Sequence, residues 1–233
     1  MARKRANDYD DKRQAILDRS AVLFSAHGYD RASMNKIAEA CGVSKANLYH
    51  YYKDKEGLLF DVIRFHLKEL LDVVEAADNP DAPAETRLHD LIAALLEAYR
   101  DADSQHNVQI SSMRFLPKER QAELKGMERE LVTTFSSAVA GVAPHLKGTK
   151  MLTPVTMSLF GMVNWHYLWF KNNGSVTRAE YADLVTRLIS DGTRSVLKTP
   201  AKTAPPAKTK RTAAAEEAHC PPGAVAPNIK VIP

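Results

Sequence analysis

The chain has 233 residues, 45% of them hydrophobic and 26% charged, so it is long enough for one or two globular domains with a sizeable core. No stretch approaches the roughly 20 consecutive apolar residues that cross a bilayer, and the polar N-terminus lacks the apolar segment of a secretory signal. The two cysteines, Cys41 and Cys220, indicate no disulfide framework. We therefore expect a cytoplasmic protein without a membrane partner.

The charge is distributed unevenly along the chain. Residues 1–60 carry a net charge of +3, residues 198–233 carry +4, and the segment between them carries −3. Basic ends around a mildly acidic middle favour a DNA-binding part, a body without strong charge and a solvated tail.

The first sixty residues begin with a basic arm, residues 1–9, that contains Arg3, Lys4 and Arg5. This arm either enters a minor groove or is a solvated terminus. A helix is predicted from Asp10 or Asp11 to His27, where a glycine follows and ends it.

Residues 33–52, SMNKIAEACGVSKANLYHYY, predict two short helices joined by a tight turn. Ser33 and Ser44 are suitable N-caps, because a serine hydroxyl accepts from an otherwise unpaired backbone N–H. Gly42 stands where the first helix must end in a left-handed conformation. This layout is that of a helix-turn-helix, in which the second helix enters the major groove. The alternative is an ordinary helical hairpin whose polar residues face water.

The outer face of this motif carries side chains suited to DNA. Hydroxyl and ammonium groups donate to phosphate oxygens, Ala46 permits close approach and contact with a thymine methyl, and Asn47 reaches base edges or backbone. Leu48 points the other way and is expected in the core. The predicted DNA-binding residues are Ser33, Ser44, Lys45, Ala46, Asn47, Tyr49, His50 and Lys55.

A longer helix is predicted from Asp54, its N-cap, to about Ala76, where the breaker-rich segment 78–83 follows. Further helical patterns cover residues 85–100, 107–115, 118–142, 152–172 and 177–197, the last opened by a capping box of Thr177 and Glu180. No alternating strand pattern of useful length is present, so the predicted class is all-α. Residues 199–233 hold seven of the twelve prolines and are predicted to be a disordered tail.

Residues 159–170 are apolar almost all round, which predicts a helix that is buried on several sides. The residues alone leave two alternatives open, an intramolecular core and an interface with a second subunit.

The head of the chain resembles the TetR family of transcriptional regulators. The residues that carry the resemblance are Gly28-Tyr29, Ala32-Ser33-Met34, Ile37-Ala38, Ala40-Cys41-Gly42-Val43-Ser44, Leu48-Tyr49, Tyr51-Tyr52, Lys55-Glu56 and Leu58. The resemblance implies a three-helix DNA-binding head at residues 10–70 and a helical effector-binding and dimerisation domain at 71–198. It also implies a homodimer that pairs through its last two long helices and binds an inverted-repeat operator. Most members are repressors that a small-molecule effector releases from DNA.

In the body, residues 112–135 read SMRFLPKERQAELKGMERELVTTF and residues 164–170 read NWHYLWF. These two segments resemble a TetR subgroup that controls fatty-acid or aromatic-acid catabolism and responds to acyl-CoA thioesters. The candidate ligand-binding residues are Tyr99, Met113, Arg114, Phe115, Asn164, Trp165 and His166. For each of them a packed core residue is the alternative, although Arg114, amid apolar neighbours, must reach water or meet an anion.

Enzymatic chemistry has no support in the sequence. The eight histidines form no HExxH or Cys/His metal spacing, and no phosphate-binding glycine loop or nucleophile elbow is present. We therefore expect no catalytic site, no metal and no cofactor. The rival to an effector-responsive repressor is a DNA-architectural or adaptor protein that lacks an effector pocket.

Overall fold

The computed structural model describes the backbone of residues 2–196 and the side chains of residues 9–196, and the predicted tail lies outside these residues. Within them the chain forms nine α-helices and no strand, as the all-α prediction requires. The helices are α1 (Ala2–His27), α2 (Met34–Cys41), α3 (Lys45–Tyr51), α4 (Lys55–Ala77), α5 (Ala84–Ala98), α6 (Asp103–Ser112), α7 (Lys118–Val142), α8 (Leu152–Asn164) and α9 (Arg178–Gly192).

The first helix is longer than predicted. It begins at Ala2 instead of Asp10 or Asp11, so the predicted arm is the first part of α1. The physical reason is composition, because no proline or glycine interrupts residues 2–27 and alanine, arginine and lysine are good helix formers. The side chains of Arg3, Lys4 and Arg5 lie outside the described ones.

The helix-turn-helix forms with the predicted caps. The Ser33 hydroxyl accepts from the backbone N–H of Lys36, and the Ser44 hydroxyl accepts from that of Asn47. Gly42 ends α2 with φ at +67°, a left-handed conformation that a residue with a Cβ rarely adopts. Leu48 is fully buried, so its position in the core is confirmed.

Helix α4 is shared by head and body. The Asp54 side chain accepts from the backbone N–H of Gly57, as an N-cap should. Further along, α4 packs against α1 in the head and against α5, α6 and α7 in the body. Its buried stripe includes Leu59, Ile63 and Leu70. Because one helix belongs to both parts, residues Met1–Leu197 form one compact unit.

Two predicted helices end early. Helix α8 stops at Asn164 instead of residue 172, because the Asn164 carbonyl accepts from Nε2 of His106 at 3.0 Å instead of from the N–H four residues on. A 3₁₀ turn, His166–Leu168, follows. Helix α9 opens with the predicted capping box of Thr177 and Glu180 but ends at Gly192.

Helices α8 and α9 leave apolar side chains exposed on a single protomer. Six large ones, on these helices or in residues 165–169 directly after α8, are between 37% and 59% exposed: Met157, Trp165, Leu168, Trp169, Leu184 and Leu188. Residues 159–170 are thus only partly covered within one protomer, and their burial against a second subunit stays a prediction. Among the described helices, none combines the length and the apolar character that crossing a membrane requires.

Candidate nucleic-acid interface and effector site

Helix α3 presents a continuous exposed face at the surface of the head. Six of the eight predicted DNA-binding residues lie on it, all exposed: Ser44, Lys45, Ala46, Asn47, Tyr49 and His50. Ser33, also exposed, caps the neighbouring helix α2. The serine hydroxyl oxygens accept from backbone N–H groups, so each hydroxyl proton stays free to donate to a phosphate. Contact of these residues with DNA stays a prediction.

The end of α3 is held by an aromatic group that sequence reasoning missed. Tyr9 of α1 stacks on Tyr51 with ring centroids 4.7 Å apart, and His50 contacts both rings edge-on. These contacts hold the part of α1 around Tyr9 against the end of the recognition helix, α3. The signal of this contact in the sequence was Tyr9, an aromatic residue at the end of the basic segment 1–9.

Lys55 makes contacts within the head that its predicted role did not include. Its Nζ donates to the carbonyl oxygens of Tyr29 at 2.8 Å and Ala32 at 3.0 Å, and it lies 4.1 Å from the centroid of the Tyr29 ring. The side chain therefore ties the loop between α1 and α2 to the start of α4. Lys55 thus has a structural role in the head, and because an ammonium group has three protons to donate, its contact with a phosphate stays a prediction.

Two of the predicted ligand-binding residues lie at the junction of head and body instead. Phe115 stacks on Tyr29 with ring centroids 5.2 Å apart, and the exposed Arg114 guanidinium lies 4.9 Å from the Phe115 ring centroid. Arg114 therefore reaches water, which is one of the two alternatives predicted for an arginine among apolar neighbours. Met113, in the same turn, is a buried core residue. These three residues are corrected from the effector site to the junction.

The remaining candidates surround a polar cluster inside the body. Tyr99 donates its hydroxyl to Oδ1 of Asn164 at 2.8 Å, and the rings of Tyr99 and His166 are 6.1 Å apart. Both rings are almost fully buried, whereas Trp165 is 39% exposed and faces outward. The structure thus brings together Tyr99, Asn164 and His166 and leaves Trp165 on the surface.

Two further histidines complete this cluster and were not predicted. His66 of α4 and His106 of α6 are each 2% exposed, and their ring centroids are 5.9 Å apart. His106 lies 4.4 Å from the Tyr99 ring and His66 lies 6.2 Å from it. His66 interrupts the apolar stripe of α4, and that interruption was the signal in the sequence.

The histidines of the cluster are uncharged at neutral pH. Burial lowers the pKa of His66 to about 3, helped by the neighbouring His106, and lowers that of His106 to about 4. The pKa of His166 is also lowered, chiefly by burial and then by Arg178. Tyr99 stays protonated, because burial raises its pKa and the charge of Glu128 adds to the effect.

A small cleft of about 60 Å³ opens beside His166 on the surface of the body. Two carboxylates, Asp101 and Asp103, and one guanidinium, that of Arg178, line it. Arg178 donates to Oδ1 of Asn172 at 2.7 Å and lies over the Phe170 ring. Because ligand pockets usually measure about 300–1,000 Å³, a drug-sized molecule enters here only if residues 165–178 move.

Metal ligation has no candidate in the part of the chain with described side chains. No three or more His, Cys, Asp or Glu side chains there are grouped so as to hold a metal ion. The buried histidines there are therefore hydrogen-bonding groups.

Family comparisons agree with both halves of this architecture. Residues 16–62 match the family described as bacterial regulatory proteins, tetR family, and residues 81–193 match the tetracyclin repressor-like C-terminal domain. Among curated relatives, the regulator RutR of Escherichia coli is 30% identical over 138 residues, which span 59% of this chain and 65% of RutR.

Solved structures extend the similarity to nearly the whole of related chains. A TetR-family transcriptional regulator from Bordetella parapertussis is 32% identical, with a TM-score of 0.73 over 79% of this chain and 97% of that one. AibR, solved in complex with isovaleryl coenzyme A and operator DNA, is 27% identical, with a TM-score of 0.66 over 76% of this chain and 97% of AibR.

Proposed function

Because the chain belongs to the TetR family of transcriptional regulators, a class without enzymatic activity, we propose that it is a cytoplasmic homodimeric repressor that a small molecule releases from an inverted-repeat operator. The observation that carries the proposal is the pairing of an exposed recognition helix with a buried polar cluster, joined by α4. A DNA-architectural protein needs the first feature but has no use for the second.

Helix α3 is the element proposed to enter the major groove. Its exposed residues 44–47 form the first turn, and N-terminal residues of a recognition helix contact base edges in this kind of motif. Lys45 and the serine hydroxyls then bind phosphates, whereas Ala46 and Asn47 face the bases.

We expect Lys45→Ala to weaken operator binding and to lower the slope of log K against log salt by about one, because one phosphate contact is lost. Filter-binding or anisotropy titrations at several salt concentrations measure both quantities. The exposed Lys147, in the body, provides the control: Lys147→Ala should leave the slope unchanged. A Lys45→Ala slope equal to that of the wild type would show that Lys45 contacts no phosphate.

The exposed apolar faces of α8 and α9 are proposed to form the dimer interface. Met157 and Trp165 lie eight residues apart on α8 and its C-cap, and Leu184 and Leu188 lie four apart on α9. Spacings of four and eight place each pair on one side of its helix. Two such faces from each protomer give a four-helix arrangement that covers surface which is costly to leave in water.

The effector is proposed to bind between α4, α5, α6 and α8, where the polar cluster lies. The isovaleryl coenzyme A bound to AibR supports an acyl-CoA-like effector for this chain as well. Arg178, at the cleft, is the cation placed to meet a phosphate or carboxylate of such a ligand, in place of Arg114. The carboxylates of Asp101 and Asp103 also line the cleft and repel an anion there. They therefore do not favour an anionic ligand.

Two contiguous paths link the effector site to α3. His66 lies on α4, whose first turn follows α3 directly and carries Glu56, 3.4 Å from the Arg120 guanidinium of α7. His106 lies on α6, which packs against α1 and leads into the turn where Phe115 stacks on Tyr29. A ligand that displaces α4 or α6 therefore changes the separation of the two heads without altering either head.

We expect an acyl-CoA that binds here to raise the melting temperature and to loosen operator binding, since linkage makes the two effects reciprocal. At a hundredfold excess over Kd the stabilisation is about 2.7 kcal/mol. Thermal-shift and operator-binding titrations with a panel of acyl-CoAs, the corresponding free acids and CoA alone test this. Arg178→Ala should weaken the response, whereas Arg114→Ala, at the junction, should leave ligand affinity unchanged. A panel that neither stabilises the protein nor releases DNA excludes an acyl-CoA effector.

A further inference from the structure

One ring nitrogen of His106 has its role fixed by the backbone. Nε2 lies 3.0 Å from the carbonyl oxygen of Asn164, and because a carbonyl oxygen only accepts, Nε2 carries the proton. The imidazole is uncharged at neutral pH, since burial lowers its pKa to about 4. Nδ1 is therefore a bare acceptor, able to receive a hydrogen bond and unable to donate one.

This acceptor is buried and unpartnered within the described part of the chain. No described residue donates to Nδ1 of His106, although the side chain is only 2% exposed. Most buried polar atoms in native proteins are hydrogen-bonded, because an unmet one carries the cost of its lost hydration. Nδ1 of His106 is thus a position where a hydrogen-bond donor is strongly favoured.

A second unmet acceptor lies on the same face of α6. Gln109, three residues after His106, donates its Nε2 to Oε1 of Glu128 at 2.9 Å. Its own Oε1 is buried and has no partner among the described residues. Residues three apart on a helix are neighbours on one face, so both buried acceptors belong to one face of α6.

The charge around these acceptors excludes two kinds of ligand end. His66 and His106 are neutral at neutral pH, so neither ring offers a positive charge to an anionic end, and the carboxyl group of Glu128 lies beside Gln109. A saturated hydrocarbon end contacts the rings but leaves both acceptors unmet. An uncharged group with a proton to donate avoids both problems, because it brings no negative charge and can form a hydrogen bond to an acceptor.

We infer that the effector carries an uncharged hydrogen-bond donor, a hydroxyl or an N–H group, at its buried end, and that this group donates to Nδ1 of His106. The inference rests on the proposed function only in placing the effector in this interior. Nε2 of His66 has no partner among the described side chains to fix its role, so it can donate to or accept from the same group. Among acyl thioesters, this arrangement selects a hydroxylated or phenolic acyl group over a saturated one.

His106 offers a matched pair of substitutions. In His106→Gln the side-chain amide reaches the former position of Nε2 and can still donate to the Asn164 carbonyl, but the acceptor at Nδ1 is lost. In His106→Asn the shorter side chain places an oxygen near the former Nδ1 and loses the bond to Asn164. The pair therefore separates the acceptor from the structural hydrogen bond.

The test uses phenol as the donor probe and fluorobenzene as a ring of similar size that has no donor. Full-length dimer with ¹⁵N-labelled histidine is titrated with each probe, and the Nδ1 resonance of His106 reports the hydrogen bond. We expect phenol to shift this resonance and fluorobenzene to leave it in place, with phenol bound at least about tenfold more tightly. His106→Asn should retain this preference and His106→Gln should lose it.

Equal binding of the two probes, or no response of Nδ1 to phenol up to its solubility limit, would overturn the inference. Retention of the phenol preference by His106→Gln would overturn it as well. If either variant fails to fold, the comparison of the two probes on the wild type decides. Operator binding is measured on the same protein without probes, so a failure of the proposed function appears there and leaves the histidine result unaffected.

Discussion

Replacing Leu188 with glutamate is expected to convert the dimer into monomers and to remove tight operator binding. Leu188 is 51% exposed on a single protomer, in the middle of the apolar face of α9. In the proposed dimer this face is covered, so the substitution buries a carboxylate without a partner. Burying an unpaired charge costs about 3–5 kcal/mol, which raises the dimer dissociation constant by about two to four orders of magnitude.

Loss of the dimer also removes the second DNA-binding head. A monomer contacts one half-site only and loses the gain of about 10²–10⁴ that two linked heads provide. We therefore expect sedimentation velocity to show monomers and operator titration to show weaker binding in the same variant. Leu188→Met, which stays apolar, and Val22→Glu, which places the same charge on an exposed apolar residue of α1, are the controls and should remain dimeric. A Leu188→Glu protein that stays dimeric would place the interface elsewhere.

Mild acid is expected to destabilise the folded protein through the buried histidines of the polar cluster, with His66 and His106 contributing most. The folded-state pKa is about 3 for His66 and about 4 for His106, below the ordinary value of 6.5. Between these values the unfolded chain binds protons that the folded chain does not, so stability is full above pH 6.5 and falls with pH. At about 1.36 kcal/mol per pH unit, each histidine costs about 2 kcal/mol at pH 5.

Urea unfolding at pH 7.5 and pH 5.0, at one fixed protein concentration, measures this loss. Above pH 5 most carboxylates keep their charge, so histidines dominate the change in this window. We expect His66→Leu to remove about 2 kcal/mol of the pH-dependent loss, whereas His27→Gln, at the exposed end of α1, leaves it unchanged. If His66→Leu loses as much stability on acidification as the wild type, His66 is not the neutral buried group described here.

The features of the fold that sequence reasoning predicted are those with local causes. Ser33, Gly42, Ser44 and Asp54 act within their own turns, so their roles as caps follow from neighbouring residues alone. The end of α8 has a different cause, a hydrogen bond to Asn164 from a histidine 58 residues away in the chain. No local pattern contains that information.

The site residues divide in the same way. Exposure of the α3 face follows from helical periodicity, with Leu48 pointing inward and its neighbours outward. Lys55 has the sequence properties of a phosphate contact, and only the folded loop shows that two carbonyl oxygens hold its ammonium group. Arg114 and Phe115 were grouped with the ligand site because they adjoin apolar residues, yet the turn after α6 directs them to Tyr29.

The most direct test of the account is selection of DNA from a randomised duplex library by the purified full-length dimer, followed by sequencing of the bound fraction. A repressor that presents α3 from two symmetric heads should enrich an inverted repeat. Its half-site centres should lie about 34 Å apart or at a larger spacing set by the dimer. Enrichment of no sequence, or of a single half-site without its mirror image, would contradict the account and favour a DNA-architectural protein.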